Sequence, residues 1–180
     1  MGRSARQTQI LDARLKRLAA GLDALAEKDE HLMRRTREIV ALRRSAAAGL
    51  HAVCAGFVDS INHLLTRGEL VLDPPHFTAD AFEENSANLI QINVRGRILQ
   101  VEFEATPELV STEDFRIPYT LKGFIRAFNQ ELLDKDLIEE QLLFYTLEQG
   151  RGMWRFFDAR TYHSGPFDQE YLVSLMEQLI

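Results

Sequence analysis

The chain has 180 residues, of which 46% are hydrophobic and 27% charged, a composition typical of one globular domain with an extension. Its lone cysteine, Cys54, excludes a disulfide framework and a cysteine-rich zinc site, so we expect a cytoplasmic protein. The most apolar stretch, residues 45–58, is too short to cross a bilayer, and no apolar run follows the basic N-terminus as in a secretory signal. We therefore expect no membrane partner.

Charge is distributed unevenly between the two parts of the chain. Residues 1–68 carry 12 Lys and Arg against 7 Asp and Glu, a net of +5, whereas residues 69–180 carry 9 against 20, a net of −11. This asymmetry indicates a basic extension on an acidic body. It favours either an acidic partner for the extension or attraction between the two parts of neighbouring protomers.

A seven-residue apolar repeat runs from Leu11 to Leu64 and predicts a long amphipathic helix. Twelve of its sixteen seam positions are apolar, and no proline occurs before Pro74. Such a stripe cannot bury itself, so the helix needs a partner helix from a second copy of the chain or from another protein. The predicted oligomerisation residues are Leu11, Leu15, Leu18, Leu22, Leu25, Leu32 and Ile39.

Two features of this repeat leave its structure open. Asp29, Thr36 and Arg43 weaken the seam, so a helical hairpin turning near residues 26–30 competes with one continuous coiled-coil helix. Small residues become frequent from Ala46 onward, and the stretch to Leu65 is predicted to pack closely on the globular domain or on a second helix. The expected anchors of that packing are Leu50, Val53, Phe57, Ile61 and Leu64.

Residues 69–180 are predicted to form a compact α+β domain, which starts after Gly68 because Pro74 and Pro75 forbid further helix. The fold class is a mostly antiparallel sheet of four or five strands, packed with helices that include a C-terminal one. The clearest strand signal is a hairpin that turns at Arg95 and Gly96. Its expected cross-strand pairs are Ile92 with Leu99, Ile90 with Val101 and Asn88 with Phe103.

The rest of this domain is less uniform in its signals. A second hairpin is predicted from residues 141–148 and 153–158, turning through residues 149–152. Residues 119–133 fit a helix and a strand equally well. The last helix is expected to start at Gly165 and Pro166 and to bury one apolar face. That face comprises Phe167, Tyr171, Leu172, Leu175, Met176 and Leu179.

Motifs for catalysis, cofactors and metals are weak. No glycine-rich phosphate loop occurs, and the pairs His51/Cys54 and Asp59/His63 lie more than one helical turn apart, so we predict no cofactor and no metal site. Asp158 and His163 follow a predicted strand end and support a small enzyme only as a second alternative, because Ser164 has no nucleophile elbow.

The leading interpretation is a non-enzymatic adaptor module that assembles through the N-terminal helix and presents the α+β domain for protein binding. The possible partner surface on this domain contains Arg126, Trp154 and Arg155, residue types that dominate binding hot spots. The first alternative is association with nucleic acid through a basic cluster. That cluster comprises Arg34, Arg35, Arg37, Arg43 and Arg44.

Overall fold

The structure of the protein is a computed structural model, which describes the backbone of residues 2–110 and 117–180 and the side chains of residues 9–107 and 117–180. Two compact units divide the chain, residues 1–40 and residues 41–180. The elements in chain order are α1 (Gly2–Asn62), β1 (Val71–Asp73), a 3-10 turn (Ala79–Ala81), β2 (Asn88–Val94), β3 (Arg97–Val110), β4 (Tyr119–Phe128), α2 (Gln130–Asp134), β5 (Glu140–Glu148), β6 (Arg151–Asp158), β7 (His163–Pro166) and α3 (Gln169–Glu177).

Within the described residues, the first unit consists of α1 from Gly2 to Val40. The helix continues without interruption through residues 26–30, so the hairpin alternative is wrong and the continuous helix is confirmed. Good helix formers dominate here, and the exposed side chains add local support such as the ion pair of Lys16 Nζ with Asp12 Oδ2 at 2.9 Å.

The second unit is built on one seven-stranded antiparallel sheet, in which each strand pairs with the next in the order β1 to β7. The predicted α+β class and antiparallel pairing are confirmed, but the predicted count of four or five strands is wrong. The sheet is wider because β1 and β7 are short edge strands of three and four residues. Each includes or precedes proline, which is tolerated at an edge because an edge strand has free backbone groups.

The first hairpin has the predicted register. Ile92 pairs with Leu99, Ile90 with Val101 and Asn88 with Phe103. Arg95 and Gly96 adopt φ angles of 51° and 80°, the left-handed pair that a two-residue type I′ turn requires. The alternation of apolar and polar residues on either side of a tight turn was therefore sufficient to predict the register of this hairpin.

The ambiguous segment 119–133 contains a strand and then a short helix. β4 pairs with β3 on one side and β5 on the other. Gly123 is needed in this strand because a Cβ at that position would lie 2.0 Å from the carbonyl oxygen of Glu102. α2 follows, and the side chain of Asn129 caps it by accepting a hydrogen bond from the Leu132 backbone N–H at 2.9 Å.

The C-terminal part matches the prediction except at element ends. β5 and β6 form the second hairpin, with Glu148 paired to Arg151 across a tighter turn than the predicted residues 149–152. α3 begins after Asp168, whose carboxylate accepts from the Tyr171 N–H at 2.9 Å. The predicted start at Gly165 and Pro166 is wrong, because both residues belong to β7.

The core lies between one face of the sheet, residues 46–58 of α1, and α3; we call this sheet face the inner face. Trp154 of β6 anchors α1 because its indole Nε1 donates to the Ala46 carbonyl oxygen at 2.8 Å. Phe156 stacks on Tyr171 of α3 with ring centroids 3.9 Å apart. The predicted close packing of the second half of α1 is confirmed, although Leu64 is 79% exposed and anchors nothing.

Arg43 fixes the start of this packed part of α1. Its side chain is 8% exposed, and its guanidinium donates to Thr120 Oγ1 at 2.8 Å, to the Thr106 carbonyl oxygen and to the Glu84 carboxylate. A buried charge is tolerated only when hydrogen bonds and an opposite charge compensate it. Arg43 is therefore a structural residue that binds the helix to β3 and β4.

We predict that Arg43→Ala lowers the free energy of unfolding by about 3 kcal/mol, because it leaves the half-buried Glu84 without its cation. Arg44→Ala is the matched control. Arg44 is exposed and lies 3.7 Å from exposed Asp80, so its loss should cost less than about 0.5 kcal/mol. Urea denaturation at one fixed protein concentration measures both. Equal losses in the two variants would show that the buried arginine contributes no more than a surface one.

Candidate interaction surfaces

The first candidate surface is the apolar seam of α1, defined by Leu11, Leu15, Leu18, Leu22, Leu25, Leu32 and Ile39. Its six leucines are all between 51% and 60% exposed, and Ile39 is half-buried. Single exposed leucines are common on proteins, but a row of them along one helix face is a candidate interaction surface. The seven predicted oligomerisation residues lie on one helix and form one stripe, interrupted at two positions.

Two polar residues interrupt the seam. The Thr36 hydroxyl is satisfied locally because it donates to the Leu32 carbonyl oxygen at 3.0 Å. Asp29 is exposed and has no ion pair within the part of the chain that the structure describes. A charge at a seam position reduces the stability of a helix pair but restricts which alignments are favourable.

The second candidate surface is the face of the sheet opposite the core, which we call the outer face. Its first half, on β3 to β5, is a network of paired charges. Arg126 contacts Glu140 at 2.6 Å and Glu102 at 3.4 Å, and Lys122 contacts Glu104 at 3.2 Å. These charges are already matched, so a ligand gains little from any one of them.

Arg155 lies on the same outer face but has different surroundings. Its cross-strand neighbours are Phe144 on β5 and Pro166 on β7. Neither its Nε atom nor the hydroxyl of Ser164 on the adjacent strand, both buried, has a hydrogen-bond partner in the part of the chain that the structure describes. Among the described residues, Arg155 pairs with no carboxylate; its one polar contact is with the Met153 sulfur at 3.8 Å.

Trp154 does not share this surface. It is 8% exposed, faces the core and packs against Phe103 and Tyr145 with centroids 5.5 and 5.3 Å away. Successive residues of a strand point to opposite faces. The structure therefore separates Trp154 from Arg126 and Arg155, with which it was grouped as a possible partner surface.

The five arginines of the basic cluster are also separated by their environments. Arg34, Arg35 and Arg37 are exposed on the first unit. Arg43 is buried in the second, and Arg44 lies near Asp80. A phosphate backbone needs cations that are free and aligned, so the structure removes Arg43 from such contacts, and the ion pair with Asp80 competes for Arg44.

Asp158 and His163 are brought together as a cross-strand pair at the end of the β6–β7 hairpin. Asp158 accepts a hydrogen bond from the Arg160 backbone N–H at 2.9 Å, which holds the pKa of its carboxyl below the usual value. Ser164 pairs with Phe157 and therefore points to the opposite face from His163. These three residues are not arranged for proton transfer from a serine nucleophile.

The described residues of the second unit line at least four cavities, which were not predicted from the sequence. The largest of these four, about 740 Å³, has His51, Asp59 and His76 in its wall, but His51 is already engaged with the Pro74 carbonyl oxygen at 2.8 Å. An apolar groove of about 400 Å³ lies beside Phe57 and Met176. Asp158 and His163 line none of the four. Cavities depend on how distant segments pack, which residue spacing does not reveal.

Comparison with protein-family models, with curated proteins and with solved structures yields no significant match to this chain. Within the described residues, no helix has the length and apolar content needed to cross a membrane. The same residues contain no group of three or more His, Cys, Asp or Glu side chains placed to hold a metal ion.

We predict that Arg155→Met leaves the free energy of unfolding unchanged or raises it by up to about 1 kcal/mol, because an unsatisfied buried polar atom is replaced by an apolar one. Arg126→Met is the matched control on the same face. It should destabilise by about 1 kcal/mol, since Glu102 and Glu140 lose their shared cation. Thermal and urea unfolding of both variants measure the difference. A larger loss for Arg155→Met would show that this side chain has a structural role.

Cys54 is expected to be chemically inert in the folded protein. It is fully buried, and burial raises the pKa of its thiol to about 12. Thiol reagents attack the thiolate, which is scarce at pH 8 when the pKa is that high. We expect no reaction with a chromogenic disulfide reagent in native buffer and one equivalent in guanidinium chloride. Stoichiometric reaction of the native protein would contradict the buried position.

Proposed function

We propose that the chain is a non-enzymatic assembly protein, which self-associates through the apolar seam of α1 and presents its α+β domain as a protein-binding module. The observation that carries this proposal is the seam itself, whose six leucines are more than half exposed in a single chain. Helices gain most of their stability by packing an amphipathic face, so this face is suited to another helix.

A second copy of the chain suits the seam as a partner. Residues 11–40 carry seven Lys and Arg and six Asp and Glu, so two identical segments have almost no net charge to repel each other. The leucines recur at both seam positions over consecutive heptads, which is the pattern of helices that supercoil together. Another helical protein is the competing partner, and the mass of the purified chain distinguishes the two.

The α+β domain contributes the binding surface in this proposal. Arg155 is the residue of its outer face that we expect to meet a partner, because its buried Nε has no hydrogen-bond partner among the described residues and its cross-strand neighbour on β5 is the aromatic residue Phe144. Arginine beside aromatic side chains is a frequent anchor of protein interfaces. Arg126 is a weaker candidate since it is held by two carboxylates. A cytoplasmic location is part of the same proposal.

Two observations weigh against the alternatives. Association with nucleic acid could not use the Arg43 side chain, because its guanidinium is buried and hydrogen-bonded within the fold. An enzyme using Asp158 and His163 would need a cavity that both residues line, and the four cavities described above lie elsewhere.

The test replaces two seam leucines with a polar residue of similar size. We expect Leu18→Gln combined with Leu25→Gln to weaken self-association by at least about a hundredfold, because each buried leucine contributes about 2 kcal/mol or more. Sedimentation equilibrium of wild type and variant gives the two dissociation constants.

The matched control introduces glutamine on the opposite side of the same helix, in Ala13→Gln combined with Ala20→Gln. Both alanines are exposed and lie away from the seam. This variant should associate like the wild type. Equal weakening by the two double variants would point to loss of helix rather than loss of an interface, and far-ultraviolet circular dichroism checks the helix content of each.

A further inference from the structure

The residues that flank the apolar seam carry information about the orientation of the pair. In heptad notation the d positions are Leu11, Leu18, Leu25, Leu32 and Ile39, and the a positions are Leu15, Leu22, Asp29 and Thr36. The residue after each d position occupies an e position, and the residue before each a position occupies a g position. We propose that α1 pairs with a second copy in parallel and in register, an inference that rests on the self-association proposed above.

The two flanks of the seam differ in chemistry. Three of the four g positions are basic, and four of the five e positions are apolar, all on the exposed or half-buried part of the helix. The g residues are Arg14, Gly21, Lys28 and Arg35, and the e residues are Asp12, Ala19, Ala26, Met33 and Val40. One flank is therefore positively charged, whereas the other extends the apolar stripe.

An antiparallel pair would combine these flanks unfavourably. In that orientation g positions lie opposite g positions and e positions opposite e positions, so Lys and Arg would meet Lys and Arg on one side of the coil. Like charges across a helix interface cost stability and select against that alignment. The apolar e residues would meet only one another, at the rim of the coil.

A parallel pair combines the same flanks favourably. Here a g residue lies across from the e residue five positions later in the other helix, so Arg14 meets Ala19, Lys28 meets Met33 and Arg35 meets Val40. Lysine and arginine cover apolar neighbours with their aliphatic stems while their charges stay in water. The basic flank then shields the apolar one at three of the four g–e pairs; the fourth pairs Gly21 with Ala26.

The six leucines set the register of this parallel pair, because each meets the same leucine of the other copy only when the two helices are in register. Asp29 is the weak layer of that alignment. It lies opposite Asp29 of the other copy, and the adjacent Lys28 of that copy offsets part of the repulsion between the two carboxylates. A shift of one heptad would bury Asp29 against Leu22 or Thr36 and would also replace leucine pairs in the neighbouring layers. In that alignment the domains that follow both helices emerge at the same end, which makes the assembly bivalent.

Two cysteine substitutions test the orientation, Leu11→Cys and Leu32→Cys, made separately in the full chain with buried Cys54 retained. Both positions are d positions, three heptads apart, which is about 30 Å along the helix. A parallel in-register pair brings each cysteine next to the equivalent cysteine of the second chain, within the Cα distance of about 6 Å that a disulfide needs. We therefore expect both variants to form a disulfide-linked dimer under mild oxidation, measured on a non-reducing gel.

The matched controls are Ala13→Cys and Arg34→Cys, each two residues further on and facing away from the seam. They should remain unlinked under the same conditions. Linkage of only one of the two seam variants, or of neither, in a protein whose mass is that of two chains would overturn the parallel orientation and leave the proposed self-association standing. A protein with the mass of one chain overturns both proposals.

Discussion

Water is a poor solvent for a row of leucines, and helix α1 carries such a row from Leu11 to Leu32. Burial of each leucine contributes about 2 kcal/mol, so a stripe of six is a strong drive towards a second helix. The proposed assembly, its orientation and the presentation of the domain all depend on that drive. Without it, the first unit would be a long helix with little to stabilise it in isolation.

The same helix has a second, structural role from Ala41 onward. There its small and apolar residues pack on the sheet, Trp154 bonds its backbone, and Arg43 connects it to Thr120 and Glu84. Residue spacing is similar in both parts of the helix, but the environment of the apolar face changes from solvent to core. This division explains why a single heptad pattern extends beyond the part of α1 that is available to a partner.

The sequence predicted those features that depend on local periodicity. The register of the β2–β3 hairpin followed from alternation around Arg95 and Gly96, and the long helix followed from its heptads. The edge strands β1 and β7 escaped prediction because three or four residues are too few to show a period. β4 looked equally helical since its apolar residues satisfy both patterns, and only the close approach of Gly123 to β3 decides between them.

The candidate surfaces were harder to predict than the fold. Arg43 was grouped with its neighbours as a surface cation, since a sequence does not show that Glu84, some forty residues later, takes up its charge. Trp154 and Arg155 were grouped because they are adjacent, although strand geometry places adjacent residues on opposite faces. The alternation of Trp154, Arg155 and Phe156 could have separated them, because it places the two aromatic residues on one face of the strand and the arginine on the other. By contrast, the seven seam residues of α1 could be predicted from their heptad spacing alone, because a continuous helix is enough to place them on one face.

The molar mass of the wild-type chain in solution decides whether α1 self-associates. Light scattering across a hundredfold range of protein concentration, a range chosen to reveal dissociation, reports whether the seam is covered by a second copy. We expect the mass of two chains at the upper end of that range. The mass of a single chain at every concentration would contradict it.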